Sequence, residues 1–250
     1  MGFCVKASLL FVTFLGVVTD AAKLPSSFGR CSLKSPDLDE CFKNNTERAV
    51  RLLKTATPEL GLGSLDPLDI PELTIGEGTG PVHVTQKFKN IKLYGLTESK
   101  SLMGHVDIPN RILYTTSITP YLRLDGDYSL KGKVMLLPIY GEGKCNITLI
   151  NTHINHTIYA ESVEKKGKEY WHFYNYTVTL RPEKMIYEFE NLFNGDKKLG
   201  DQILSVLNDN WSELFTDVRD GYEKSFGLIF QGLGNRVFSR VALEDIFLDV

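Results

Sequence analysis

The sequence predicts an α+β fold: a long C-terminal helix wrapped by a highly curved antiparallel β-sheet that encloses an apolar tunnel. Three observations carry that expectation. From about residue 73 to 193, apolar and β-forming residues recur with period two between turn residues, as in an antiparallel meander. From 199 to 233 the spacing changes to three and four, which marks one face of a helix. A helix of roughly thirty residues is about 50 Å long, more than the roughly 45 Å diameter of a compact sphere of this chain length. The body is therefore elongated, its strands curl along the helix, and a cylinder closed over that length retains an apolar channel.

The elements follow in order. Residues 1–21 carry Lys6, an apolar run over 9–18 and small residues at Thr19 and Ala21, the pattern of a signal peptide cut near Ala21. The run is shorter than the roughly 20 apolar residues of a membrane-spanning helix, and no later stretch approaches that length. Residues 22–250 are then read as one exported domain. In an oxidising compartment Cys31 and Cys41 form a disulfide that closes a loop of about ten residues, which leaves Cys145 as a buried free thiol ahead of a cysteine linked to a partner.

Ser35-Pro36-Asp37 starts a helix whose apolar face is Leu38, Phe42, Ala49, Leu52 and Leu53. Pro58, Gly61, Gly63, Pro67 and Pro71 end that periodicity in a loop. Strands are expected at 82–84, 91–93, 112–124, 134–139, 147–159 and 170–180, with turns at Gly126, Gly132, Gly141, Gly143 and Gly167. In the 147–159 strand, Ile147 and Leu149 share one parity and Ile150, Ile154 and Ile158 the other, so a bulge near Leu149 re-aims the chain. In the next strand Tyr170, His172, Tyr174, Tyr176, Val178 and Leu180 are read as inward, with Trp171 and Phe173 breaking the alternation. Gly200, Gly221 and Gly227 in the helical region mark close approaches or a bend.

Composition excludes several function classes. With 28 basic and 31 acidic side chains and a formal charge of −3, the chain lacks the broad cationic field that nucleic acid requires. The sequons Asn44-Asn45-Thr46, Asn146-Ile147-Thr148, Asn155-His156-Thr157, Asn175-Tyr176-Thr177 and Asn210-Trp211-Ser212 are N-glycan acceptors in an exported chain. The chain carries no Gly-x-Ser-x-Gly elbow, His-Glu-x-x-His helix, Walker loop or Cys-x-x-Cys pair, so no catalytic residue is assigned. Gly76-Glu77-Gly78-Thr79-Gly80-Pro81 is a turn rather than a dinucleotide loop. Neither a metal nor a cofactor is expected: His153, His156 and His172 cannot share one strand face, and Asp125-Gly126-Asp127 is a hairpin signal before it is a carboxylate pair. The helical stripe also suits an ordinary packed core, in which Trp211, Phe215, Tyr222, Phe226 and Phe230 only pack.

Five blocks in order carry a resemblance. They are Cys31 with Cys41, the run 61–71 (Gly-Leu-Gly-Ser-Leu-Asp-Pro-Leu-Asp-Ile-Pro), Leu124-Asp-Gly-Asp-Tyr128, the run 132–143 around Pro138-Ile-Tyr-Gly141, and Leu207-Asn-Asp-Asn-Trp211-Ser-Glu-Leu-Phe215. Across nearly the whole exported chain this pattern resembles the takeout and juvenile-hormone-binding proteins, and the unpaired Cys145 favours the takeout branch.

The resemblance implies a non-enzymatic carrier, secreted into an extracellular fluid such as haemolymph. Its partner would be a small lipophilic ligand, namely juvenile hormone, another terpenoid or a fatty acyl compound. It implies no stable membrane insertion and names no receptor. The wall is expected from Phe88, Ile112, Tyr121, Leu124, Met135, Leu137, Ile139, Trp211, Phe215, Val218, Tyr222 and Phe226, with Tyr128, Tyr222 or His172 as polar tips. Two other classes stay open: a surface-binding partner of another protein, and a lipid-ester hydrolase.

Overall fold

The computed structural model describes residues 22–250, so the signal-peptide segment lies outside the described residues. The elements are β1 (Cys31–Ser32), α1 (Leu38–Leu52), β2 (Leu68–Ile75), β3 (Val82–Tyr94), β4 (Lys100–Asp107), β5 (Ile112–Val134), β6 (Leu137–Lys165), β7 (Lys168–Arg181), β8 (Lys184–Phe189), α2 (Lys197–Asp209), α3 (Trp211–Phe238), α4 (Leu243–Ile246) and β9 (Phe247–Leu248). β2 to β8 form one antiparallel seven-stranded sheet, and β1 pairs in parallel with β9.

The sheet is organised by one hairpin. β5 has 23 residues and β6 has 29, paired in unbroken register from Ile112↔Tyr159 to Val134↔Leu137. Met135 and Leu136 make the two-residue turn, both at positive φ (50° and 75°) as a type I′ turn requires. Each long strand then serves two neighbours. β5 pairs with β4 through its first half and β3 through its second, while β6 pairs with β8 and then β7.

Gly126, Gly132, Gly141 and Gly143 therefore lie within strands, not at the turns the sequence predicts, and Asp125-Gly126-Asp127 is mid-strand. The reason is steric. A Cβ on Gly132 would stand 2.0 Å from the His83 carbonyl oxygen, so the residue that reads as a chain reversal is a place where curved strands nearly touch.

Midway along the hairpin the inward face changes. On β5, Leu113, Thr115, Ser117 and Thr119 face in, and after Pro120 the inward set becomes Leu122, Leu124, Tyr128 and Leu130. On β6, Cys145 and Ile147 face in before Asn151, and Ile154, His156 and Ile158 after it. Asn151 sits at φ 45°. The re-aiming expected near Leu149 thus falls two residues later and occurs on both strands at once. A bulge is found instead between β6 and β7, where Ala160 pairs with Phe173 and Tyr159 with Asn175, so Tyr174 is the extra residue on β7. Trp171 and Phe173 are consequently buried and His172 and Tyr174 exposed, the reverse of the alternation read from the sequence.

The helical stripe is two helices broken at Asn210 (φ −110°, ψ 19°), not at a glycine. Asp196 caps α2 by accepting the Leu199 N–H at 3.1 Å. Gly227 lets α3 approach β7, since a Cβ there would lie 2.5 Å from the Tyr176 carbonyl oxygen. Helix side chains satisfy the sheet edges. Asn235 accepts the Phe173 N–H at 2.7 Å and donates to its carbonyl at 2.9 Å, Asn208 does the same for Tyr187 at 2.8 and 3.0 Å, and Glu223 accepts the Leu180 N–H at 2.7 Å. The turn 76–81 is held to α3 by Asp217, which accepts N–H groups of Thr79, Gly80 and Val82 at 2.9, 2.6 and 2.8 Å.

Candidate functional site

Packing along the long axis is uneven. Along α3, Leu214, Phe215, Val218, Tyr222, Phe226 and Gly227 are buried, whereas no residue of α3 after Gly227 is. Helix α1 has no buried residue at all, although it presents an apolar face. Both observations have one cause: these faces border an apolar cavity of about 360 Å³. Phe42, Ala49, Val50 and Leu53 line it from the α1 side, Phe230, Leu233, Val237 and Phe238 from α3, and Leu60, Leu62, Leu65 and Leu96 from the connecting loops. The sheet contributes Leu113, Ile154, Ile158 and Phe173. This size lies within the 300–1,000 Å³ range of small-molecule sites.

The disulfide Cys31–Cys41 joins the N-terminal segment to α1 at the cavity, with Cys31 in its wall. Glu47 of α1 accepts the Ser101 N–H at 2.8 Å and pairs with Arg51 at 2.6 Å, tying the helix to β4.

Polar wall residues come from α1, which supplies Asn45, Thr46 and Glu47, and from the sheet. Ser101 is paired across the strands with Ser117, and Thr115 with His156. His156 Nδ1 lies 3.2 Å from the Tyr176 hydroxyl, and the Phe230 ring meets His156 at 5.8 Å and Tyr176 at 6.1 Å between centroids. His156 keeps accessible surface while being enclosed by protein, so that surface is cavity wall. Burial lowers its pKa to about 4, and burial likewise holds the Tyr176 hydroxyl well above the usual phenol range. At neutral pH the pair is uncharged.

None of the residues expected from the sequence to form the wall lines this cavity. Phe88, Leu124, Tyr128, Ile139, Phe215, Val218, Tyr222 and Phe226 are brought together, but as a close-packed core in the other half, with Trp211 against them. Only Ile139 and Val218 border a void there, of about 50 Å³. Ile112 is half-buried on the outer face, and Tyr121, Met135, Leu137 and His172 are exposed. The face change after Pro120 turns Tyr121 outward, and the hairpin turn carries Met135 and Leu137 to its tip. The expected polar tips are spent or misplaced: Tyr128 donates to the Glu190 carbonyl at 2.5 Å and Tyr222 to Gln86 Oε1 at 2.9 Å, while His172 faces solvent.

The cavity residues that sequence reading missed did leave a signal. Thr115-x-Ser117-x-Thr119 and His156 put polar groups on the parity that should be apolar, and the spacing Phe230, Leu233, Val237 prolongs the stripe past its apparent end. Cys145 is a buried free thiol, as expected; burial first, then Asp125 and Asp127, pushes it up to about 12. Among the described residues no cluster of three or more His, Cys, Asp or Glu is placed to hold a metal ion, and no helix is long and apolar enough to cross a membrane.

Residues 8–248 match the family model described as haemolymph juvenile hormone binding protein. The circadian clock-controlled protein daywake of Drosophila melanogaster is 27% identical over 255 residues, covering 95% of this chain and 96% of that protein. Its Drosophila yakuba counterpart is 26% identical over 233 residues, covering 89% and 88%. The crystal structure of Epiphyas postvittana Takeout 1 superposes with a TM-score of 0.78 at 23% identity, over 88% of this chain and 99% of that one, which shows a shared fold.

Proposed function

Because the chain belongs to the haemolymph juvenile hormone binding protein family, we propose that it is a secreted carrier of one small elongated lipophilic molecule, held in the cavity between α1, the end of α3 and the sheet. The observation that carries this reading is the contrast along one helix: fully buried residues recur up to Gly227, whereas Phe230, Leu233, Val237 and Phe238 beyond it are only partly buried and line an apolar cavity. A terpenoid or fatty acyl chain of twelve to fifteen carbons would gain about 10–12 kcal/mol at roughly 0.8 kcal/mol per methylene, before association costs of several kcal/mol. Micromolar to nanomolar affinity follows without a strong polar contact.

Export fits the leader over residues 1–21 and the disulfide between Cys31 and Cys41. We assign glycan to Asn44, Asn155 and Asn175, which are exposed. Asn146 and Asn210 are half-buried, with their amide nitrogens donating to Asp125 at 2.8 Å and to the Val206 carbonyl at 2.8 Å.

Mass spectrometry of an organic extract of the natively purified protein tests the reading. A stoichiometric apolar compound is expected. An empty extract, together with failure of the delipidated protein to bind the uncharged fluorophore N-phenyl-1-naphthylamine, would overturn it.

A further inference from the structure

The tip of the β5–β6 hairpin departs from the usual chemistry of a turn in two ways. Met135 and Leu136 sit at φ 50° and 75°, the left-handed conformation that a type I′ turn ordinarily gives to Asn and Gly. Side chains of this size adopt it at a cost. Met135, Leu136 and Leu137 are also exposed, Leu136 by 92%, and Pro138 and Tyr140 continue the exposed run along β6. None of Met135, Leu136 and Leu137 lines either cavity. Apolar turn residues that are strained and unburied contribute little to this fold, which points to contacts outside the chain.

The outer face of the sheet behind the tip is cationic. Strand register sets three rows there: His83, Lys133 and Pro138 nearest the tip, then Lys131 with Tyr140, then Lys87, Ser129 and Glu142. These side chains are exposed, whereas Val82, Val84, Val134 and Ile139 point the other way into the core. Among the described residues Lys87, Lys131 and Lys133 form no ion pair. Farther along the same face Lys92 and Lys144 are paired, with Asp69 and Asp127. Glu142 is the one carboxylate on the three rows, and the adjoining turn 76–81, which carries Glu77, is held toward α3 by Asp217. No sequon falls on these rows, so they carry no glycan.

A convex apolar point collared by unpaired lysines is complementary to an anionic bilayer, whose fluid surface closes around a protrusion. Leucine and methionine enter the boundary of the acyl layer, a tyrosine ring suits the headgroup level, and lysines meet anionic headgroups. We propose that this tip is a peripheral docking surface for anionic lipid bilayers, with Met135, Leu136 and Leu137 entering the interfacial layer and Lys87, Lys131 and Lys133 lying over the headgroups. Contact is reversible, because three apolar side chains fall far short of the roughly 20 residues of a membrane span. Thr115 in the cavity wall lies about 20 residues back along β5 from Met135, roughly 60 Å of strand. Docking and cavity binding are therefore separate properties.

The test is flotation of the full protein with phosphatidylcholine vesicles, with and without about 30% phosphatidylserine. The anionic vesicles are expected to bind at least tenfold more tightly and to release the protein as salt rises to about 0.5 M. Equal binding to both vesicles, or binding to neither, would overturn the proposal. The double change Met135→Asn, Leu136→Gly supplies the residues the turn prefers, so this variant should be at least as stable as the parent while its vesicle affinity falls about tenfold or more. Lys131→Ser with Lys133→Ser should weaken binding to anionic vesicles about 25-fold, at a factor of about five per lysine. Affinity for N-phenyl-1-naphthylamine should stay unchanged in both variants, which separates docking from the carrier reading. Vesicle binding that survives the turn substitutions would overturn the role of the tip. A protein complex lost on those substitutions, with no vesicle binding by the parent, would assign the tip to a protein partner instead.

Discussion

His156 shows how one side chain reports the nature of the space around it. An unfolded histidine titrates near pH 6.5, and burial brings His156 down to about 4. Between those values the unfolded chain binds more protons, so the stabilising contribution is complete above pH 6.5 and is lost as the pH falls toward 4. The full loss is on the order of 3 kcal/mol. Urea denaturation at pH 7 and pH 4.5 should therefore show His156→Phe losing about 2–3 kcal/mol less than the parent over that interval. Identical pH dependence in the two proteins would mean that His156 is not enclosed as described. The sequence does name this histidine, but as a failed metal ligand. Its role depends on Tyr176 and Phe230, which are 20 and 74 positions away and meet it only through strand register and helix placement.

At the scale of elements, α1 is a helix held by tethers as well as by the packing of Leu38 and Phe42. It has no buried residue, it faces the cavity, and it is attached through Cys31–Cys41 and through Glu47 and Asp39 to β4. Closing a loop of this length stabilises by about 3 kcal/mol in the chain-entropy account. The double change Cys31→Ser, Cys41→Ser is expected to cost about that much and to speed amide exchange in residues 38–52 well beyond that of α3. Equal loss of protection in both helices would show α1 to be part of the packed core. The helix, its apolar face and the disulfide are all legible in the sequence, because each depends on local spacing. That the face covers a void is not, because nothing local distinguishes an apolar side chain that touches another from one that touches nothing. The glycines of β5 and β6 make the same point: Gly132 is recognisable as special, but whether it turns the chain or admits a neighbouring strand is settled by His83, which lies far away in sequence.

The whole molecule divides into a filled end and a hollow end on one sheet and one helix. Leu124 belongs to the filled end, 3% exposed, and Leu233 to the cavity wall. Leu124→Ala should cost about 3 kcal/mol through the cavity it creates and leave probe binding in place. Leu233→Phe adds volume where space exists, so stability should change by less than about 1 kcal/mol while probe affinity falls at least tenfold. Chemical denaturation and fluorophore titration on the two variants separate the roles. If Leu124→Ala abolished binding and Leu233→Phe did not, the ligand space would lie at the other end.

The sequence by itself determined the class of fold, the β-rich middle between helices, the Cys31–Cys41 disulfide and the family, since these rest on periodicity, spacing or ordered local blocks, but it named neither β4 nor β8 and read the start of β2 as loop. In the two strands it phased, it placed Asn155 and Asn175 outward and Val178 and Leu180 inward, as they are. Only the tertiary structure decided which apolar residues are core and which are cavity wall. Paired strands change face together at Pro120 and Asn151, β7 carries an extra residue at Tyr174, and α3 runs on past Gly227, its last buried residue. Each shift moves whole sets of side chains from one environment to another without altering composition. Hydrophobicity is a property of a residue, whereas empty space belongs to the residues that surround it, and those come together here from α1, four strands, α3 and the connecting loops.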